Sequence, residues 1–430
     1  MFLAGTIAFA VASVACGFAG NIHQLVIARC FQGLGAAFLV PGSLSIISAS
    51  FEEKERGRAI GMWSGFTAIT TAMGPVLGGW LIQHASWRWV FFINVPMAAA
   101  VVLLGVWHVP ESKDEKRGRV DWLGALTATA GLGGVTYAFI ESSILGWREP
   151  LVWGSMAAGV VLLGGFLWIE ARASSPMVPL ELFRDRDFSA ANLLTLFLYA
   201  ALGIFFFLFP MNLIEVQHYS PTATGAAALP FILLMFLLSR WSGGLVARWG
   251  ARLPLMVGPA VAAAGFLLFA VPSIGGSYWA TFFPAFVVLG LGMAVSVAPL
   301  TTVVMDAADE SRAGAASGIN NPVARVAGLL AIAVLGIAML SAFRTRLNAS
   351  FQSAGVTGGE LQELKAGETK LAALKAPADV DAEEAKSIDA SIGRAFVFGF
   401  RWVMVLCAGL ATLSAGLAWR FLSAERVRAG

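Results

Sequence analysis

The sequence predicts an all-α integral membrane protein with two pseudo-repeated helical halves. Three observations carry that prediction. Of 430 residues, 58% are hydrophobic and only 13% are charged, where a soluble domain carries about 25% charged residues. Apolar runs of about 20 residues, the length that crosses a bilayer as a helix, recur along the whole chain. A stretch near the N-terminus also returns in the second half with its glycines and proline in similar positions. The formal net charge of +3 implies no nucleic-acid partner. Cys16, Cys30 and Cys407 sit inside apolar runs, and His23, His84, His108 and His218 are scattered. Neither a disulfide framework nor a metal site is indicated.

About twelve spans follow in order, each a helix because lipid offers the backbone no hydrogen-bond partner. They run over 2–19, 25–50, 58–82, 88–108, 122–143, 150–170, 189–213, 222–247, 254–272, 279–304, 314–341 and 396–421. No Lys or Arg precedes the first run and similar runs follow it, so it reads as a first span rather than a cleaved signal.

Basic residues alternate between the loops, which sets the orientation. One side holds Lys54, Arg56 and Arg58; Lys113, Lys116, Arg117 and Arg119; Arg172, Arg184 and Arg186; Arg248 and Arg252; and Arg312. Arg426 and Arg428 of the tail join them, while the opposite short loops hold Arg88 and Arg148. Both termini are therefore expected in the cytoplasm, with the chain multi-pass in a bacterial-type inner membrane. The stretch "ELQELKAGETKLAALKAP" in the long outer connection is helix-prone. It reads as an exposed cap, with a partner-binding helix as the alternative.

"GLGAAFLVP" at 33–41 matches "GLGMAVSVAP" at 290–299, and "EKERGRAIG" at 53–61 is echoed by "DESRAGAASG" at 309–318. "MFLAG" at 1–5 is echoed by "PLMVG" at 254–258. A near-constant offset argues for duplication, as in secondary transporters. Three regions follow: an N-terminal half of four spans over 1–108, an inserted two-span linker region over 109–187, and a C-terminal half of six spans over 188–430 with a long external loop, 342–395. Two spans precede Gly258 and none precedes the equivalent position in the first half, so matched halves would need two further helices before Met1.

"ARCFQGLGAA" at 28–37 carries an R-x-x-Q-G-x-G-A-A pattern, followed by "GPVLGG" at 74–79, "WRWVFFINVP" at 87–96 and "SGINNPVARVAG" at 317–328. In this order the motifs resemble the major facilitator superfamily, specifically its 14-span drug:proton antiporter group, over nearly the whole chain. The chain departs from the pattern at Thr70, where the antiporter motif has its first glycine, and at Ala247, where the second-half loop usually has Asp. The first two spans and the G-x-L-x-D-R-x-G-R loop are absent, so the chain looks like spans three to fourteen. The resemblance implies the major facilitator fold.

Arg29 lies a few residues inside its span, where a charge at the helix centre costs roughly 2.5–3.5 kcal/mol and less toward the ends. Gln32, one turn on, shares its face. Arg29 either faces a cavity or partner, or snorkels to the headgroups. The resemblance implies the first, with Arg29 and Gln32 serving proton coupling by tuning a nearby carboxylate. No Asp or Glu is clearly mid-span. Glu141 and Glu215 lie near outer ends, and Glu170 and Asp306 near cytoplasmic ends. Glu141 is the best remaining candidate for the proton carrier, against the alternative of a polar contact at the periplasmic end, while the resemblance implies an acid on the absent first span.

Gly33, Gly35, Gly74, Gly78 and Gly79 are candidates for helix packing and gating. Gly33 and Ala37, like Gly74 and Gly78, have the spacing that lets another helix approach, and Pro75 removes a backbone donor and bends its helix. Arg248, Gly250 and Arg252 form a tight basic turn, either a membrane anchor or, as the resemblance implies, part of the inward gate. Asn94, Asn320, Asn321 and Arg325 are candidates for the polar lining of a cavity, with Arg325 near mid-membrane; the alternatives are that Asn94 caps a kinked helix and that Arg325 belongs to a structural polar network between helices.

There is no P-loop, zinc constellation or Ser-His-Asp pattern, so no enzyme and no cofactor is expected. The expected function is proton-coupled secondary-active efflux of small amphipathic compounds by alternating access, as a multidrug antiporter. The partners are the bilayer, a small-molecule substrate and protons, and a single chain suffices. The alternatives are a metabolite or siderophore exporter of the same fold, or a truncated membrane protein that does not transport.

Overall fold

Every regular element among the described residues is a helix, as an apolar chain in lipid requires. The computed structural model describes residues 2–39, 43, 46, 70, 73–108, 121–173, 176, 178–306, 313–354, 364, 367–377 and 380–423. The helices are α1 (Phe2–Phe18), α2 (Ile22–Ala36), α3 (Asn94–His108), α4 (Trp122–Leu145), α5 (Pro150–Glu170) and α6 (Arg186–Met211). They continue as α7 (Pro221–Ala227), α8 (Leu229–Gly243), α9 (Arg252–Phe269), α10 (Phe283–Asp306), α11 (Ala313–Ala354) and α12 (Ala382–Phe421). Residues 73–84 are also helical. Among the described residues nine helical stretches are long and apolar enough to cross a membrane, and α1 is a shorter apolar helix. The protein is a multi-pass membrane protein. The expected spans 25–50 and 58–82 are described only in part, and Lys54, Arg56, Arg58, Lys113, Lys116, Arg117, Arg119, Arg312, Arg426 and Arg428 lie outside the described residues.

The chain forms two compact units, the first made of Met1–Arg117 and Ser220–Ile232. A tight turn joins α1 to α2. The Asn21 side chain accepts from Gln24 N at 2.9 Å, and Gly20 N donates to Gln24 Oε1 at 2.9 Å. The two helices then pack backbone to backbone at Gly35, where a Cβ would lie 2.6 Å from Phe9 N and 3.0 Å from Gly5 O. α3 follows the short turn Trp89–Phe92 and packs on α1. A side chain at Gly17 would meet the Phe92 ring.

The second unit comprises Gly118–Tyr219 and Leu233–Gly430. Asp121, Asp185 and Asp381 cap α4, α6 and α12 by accepting from backbone N–H groups that the first helical turn leaves unpaired. Its aromatic core joins Phe205 and Phe209 of α6 to Phe269 of α9 and Phe286 of α10. The Phe205–Phe269 ring centroids are 4.6 Å apart and Phe269–Phe286 4.9 Å. In lipid, burying a phenylalanine gains little solvation free energy, so these contacts stabilise by packing. α6 and α11 cross at Gly203 and Gly328, where a Cβ on Gly203 would fall onto the Gly328 backbone. The pair α4 and α5 is the less buried part of this unit: its apolar windows are 17% and 11% buried, against 50% for α6, α9 and α12.

α11 and α12 differ most from expectation. They contain 42 and 40 residues, roughly 60 Å each at about 1.5 Å per residue, twice the hydrocarbon core of about 30 Å. Residues 342–354 and 382–395 are therefore helical extensions of the spans expected to end at 341 and begin at 396. Hydropathy stops at the membrane boundary, but a polar helix continues through it when its turns are well capped. Between the extensions, a short turn at Glu368–Ala373 is tied back to α11 by the Arg344–Glu368 ion pair of 2.8 Å.

Candidate functional site

Three strands of the sequence reading meet in the first unit. Gln32 is 2% exposed and Ser13 is fully buried. Arg29 Nη1 donates to Gln32 Oε1 at 2.7 Å, and Gln32 Nε2 donates to Ser13 Oγ at 2.8 Å. Asn94 Nδ2 also donates to Ser13 Oγ, at 3.0 Å, and the Ser13 hydroxyl donates to Phe91 O at 2.9 Å. Cys16 Sγ makes a weaker 3.7 Å contact to Gln32 Oε1. Ser13 thus uses its one donor and both lone pairs, and Gln32 uses both carbonyl lone pairs. The network fixes the Gln32 amide with its oxygen toward the guanidinium.

Arg29 as a residue is exposed, but its guanidinium turns along the helix to Gln32 and lies 6.0 Å from the Phe91 ring centroid. The guanidinium is thereby held at the polar node that Gln32, Ser13 and Asn94 form. Ser13 was not legible as a site residue, because one hydroxyl in an apolar helix reads as a small packing residue. The available signal was Cys16 at i+3, which puts two polarisable groups on one face of α1. Among the described residues of the first unit there is no Asp or Glu. Glu141, half-buried on α4, belongs to the second unit and is not a member of this network.

Among the described residues the small residues meet different neighbours. A Cβ on Gly33, Gly74 or Gly78 would meet nothing within 4 Å among the described residues. Close packing is seen at Gly35, described above, and at Gly79, where a side chain would collide with the Pro221 backbone. Pro75 contributes its carbonyl, which abuts Gly225 of α7. Thr222 Oγ1 donates to Gln83 Oε1 at 2.7 Å and locks the same pair of segments. An i, i+4 pair identifies a small-residue stripe but not which side of the helix the neighbour occupies.

In the second unit, Asn320 Nδ2 donates to Asn192 Oδ1 at 3.1 Å and to Thr195 Oγ1 at 2.8 Å, joining α11 to α6. Asn321 and Arg325 are exposed. Arg325 lies on α11 within the apolar stretch Gly318–Phe351. Gly250 closes the basic turn at φ 74°, a conformation that disfavours every residue with a Cβ. Val246, Ala251 and Leu255 around it pack into one core with Phe188, Val304 and Ile319. Arg248 is exposed and Arg252 half-buried at this edge. Glu170, expected near a helix end, is 3% exposed and accepts from Val178 N at 3.2 Å, pinning the linker to α5.

Residues 1–332 match the sequence profile described as the Major Facilitator Superfamily. The chain is 38% identical over 347 residues to the multidrug resistance protein Stp of Mycobacterium tuberculosis, covering 78% of this chain and 62% of that protein. It is 33% identical over 348 residues to the tetracenomycin C resistance and export protein of Streptomyces glaucescens, covering 79% of this chain and 63% of the relative. The chain thus spans less than two thirds of the length of these curated relatives. Among solved structures, a bacterial homolog of the human lysosomal transporter Spinster, inward-facing and unoccupied, superposes with a TM-score of 0.63 at 16% identity. That match covers 97% of this chain and 81% of the other.

Proposed function

Because the chain belongs to the Major Facilitator Superfamily, we propose that it acts in secondary-active efflux, moving small amphipathic compounds outward in exchange for protons. The reading follows the 14-span drug:proton antiporter group. The relatives named for multidrug resistance and for tetracenomycin C export support the direction and the class of cargo. One observation carries the coupling: a buried polar node that holds Arg29 against Gln32, Ser13 and Asn94.

The chemistry follows from that node. A guanidinium stays protonated at every working pH, so Arg29 carries no proton itself. Its fixed charge favours the ionised form of any carboxylic acid that comes within about 4–6 Å and lowers that acid's pKa. An acid that nears Arg29 in one conformation and leaves it in the other would release and take up a proton in step with the change. Gln32 and Ser13 hold the cation in place, and the small-residue packing at Gly35 and Gly79 keeps the surrounding helices rigid. Each proton entering down a membrane potential of 100 mV supplies about 2.3 kcal/mol.

The test loads cells lacking other pumps with ethidium and follows its loss by fluorescence. The proposal expects loss faster than in empty-vector cells and abolished by a protonophore. Loss that is unchanged by the protonophore would remove proton coupling, and no loss beyond the vector control would remove efflux.

A further inference from the structure

In the second unit, a cavity of about 820 Å³ opens where the extensions of α11 and α12 stand beyond their apolar spans. Its wall carries five cationic side chains, Arg346, Lys375, Lys386, Arg394 and Arg401, against two carboxylates, Glu215 and Asp389. Lys386, Arg394 and Arg401 all come from α12, at steps of eight and seven residues that return to one helical face.

The carboxylates do not neutralise this excess. Glu215 pairs with Lys375 at 3.3 Å, and Asp389 Oδ1 accepts from Ala376 N at 3.1 Å to hold the connecting segment. Arg401 donates to Val271 O at 2.9 Å and Pro272 O at 3.1 Å. Arg394 donates to Ser391 Oγ at 2.9 Å. Among the described residues, no carboxylate lies within ion-pair distance of Arg346, Lys386, Arg394 or Arg401. A cleft of one charge sign with apolar walls focuses its field and attracts counter-charge. The rest of the wall is apolar, with Ile274, Leu374 and Val397 among its residues. His218 joins it in a left-handed conformation, φ 58°, which holds the end of α6 in a sharp turn.

We propose that this cavity binds an amphipathic anion, its phosphate or carboxylate head held by Arg346, Lys386 and Arg394 and its hydrocarbon body against the apolar wall. The proposal stands apart from the coupling node, which lies in the other unit, and does not depend on transport. Two sources share the chemistry: an anionic lipid headgroup and a soluble amphipathic anion.

The test titrates the full chain in phosphatidylcholine nanodiscs with decyl phosphate, using decyltrimethylammonium as the cation control and empty nanodiscs as the baseline, followed by calorimetry. Saturable binding of decyl phosphate is expected, weakened by salt, with none of decyltrimethylammonium. The variant Lys386→Gln/Arg394→Gln should bind about tenfold more weakly, and Arg346→Gln, a single neutral change on another helix, should also weaken binding while keeping the folded elution profile. Adding phosphatidylglycerol to the nanodiscs separates the sources: competition assigns the site to a lipid headgroup, and undiminished decyl phosphate binding assigns it to a soluble anion. Equal binding of the cation, or undiminished binding by both variants, would overturn the proposal.

Discussion

Ser13 connects three helical segments through one hydroxyl. It accepts from Gln32 on α2 and Asn94 on α3 and donates to Phe91 O. Replacing it with alanine leaves the buried Gln32 amide and the half-buried Asn94 amide without this acceptor, where a fully buried unsatisfied group costs about 1–3 kcal/mol. Measured hydrogen bonds in membrane proteins average nearer 0.6 kcal/mol, because the unfolded state also finds partners. Ser13→Ala is therefore expected to lower Tm in detergent by a few degrees and to slow efflux, and an unchanged Tm would show that the node contributes nothing to folding. The Arg29–Gln32 pair was legible from their spacing, because i, i+3 neighbours share a helical face. The membership of Asn94 was not, since only the tertiary fold brings α3 against α1.

At the scale of elements, the close approach of α1 and α2 at Gly35 separates two readings of one stripe. Gly35→Ala must push apart backbone atoms at 2.6–3.0 Å, and overpacking of this kind typically costs about 1–3 kcal/mol. Gly33→Ala meets nothing within 4 Å among the described residues and gains helix propensity. Thermal unfolding in detergent should rank Gly35→Ala well below the parent and Gly33→Ala level with it; the reverse order would place the α1–α2 contact on the other face. The two positions are about 200° apart around the helix, so composition showed the stripe but could not show the facing helix. The α11 and α12 extensions were illegible for a related reason: hydropathy reports burial in lipid, whereas Asp381 and the Arg344–Glu368 pair stabilise helix outside it.

For the whole molecule, the helical class and multi-pass character followed from apolar run length alone, and the chain's family from four motifs in order. The alternation of basic loops supplies an orientation that is testable directly. With Cys30, the exposed cysteine, replaced by serine and Cys16 and Cys407 left buried, a cysteine introduced at exposed Ser387, on the α12 extension, should react with a membrane-impermeant maleimide added to intact cells. A cysteine at Ser423, beyond the other end of the same helix, should react only after the cells are opened. Labelling in the opposite order would invert the orientation and move the proposed anion cavity to the cytoplasmic side.

The most direct measurement of the coupling claim uses proteoliposomes carrying a pH-sensitive dye, in which substrate addition is followed by internal pH. The parent chain is expected to move protons when ethidium is supplied. Arg29→Ala is expected to insert and fold with an unchanged elution profile yet move none, and Arg29→Lys, which keeps the charge but loses the guanidinium geometry, to move them more slowly. Substrate-driven proton movement of equal rate in Arg29→Ala would contradict the assignment of Arg29 as the coupling charge.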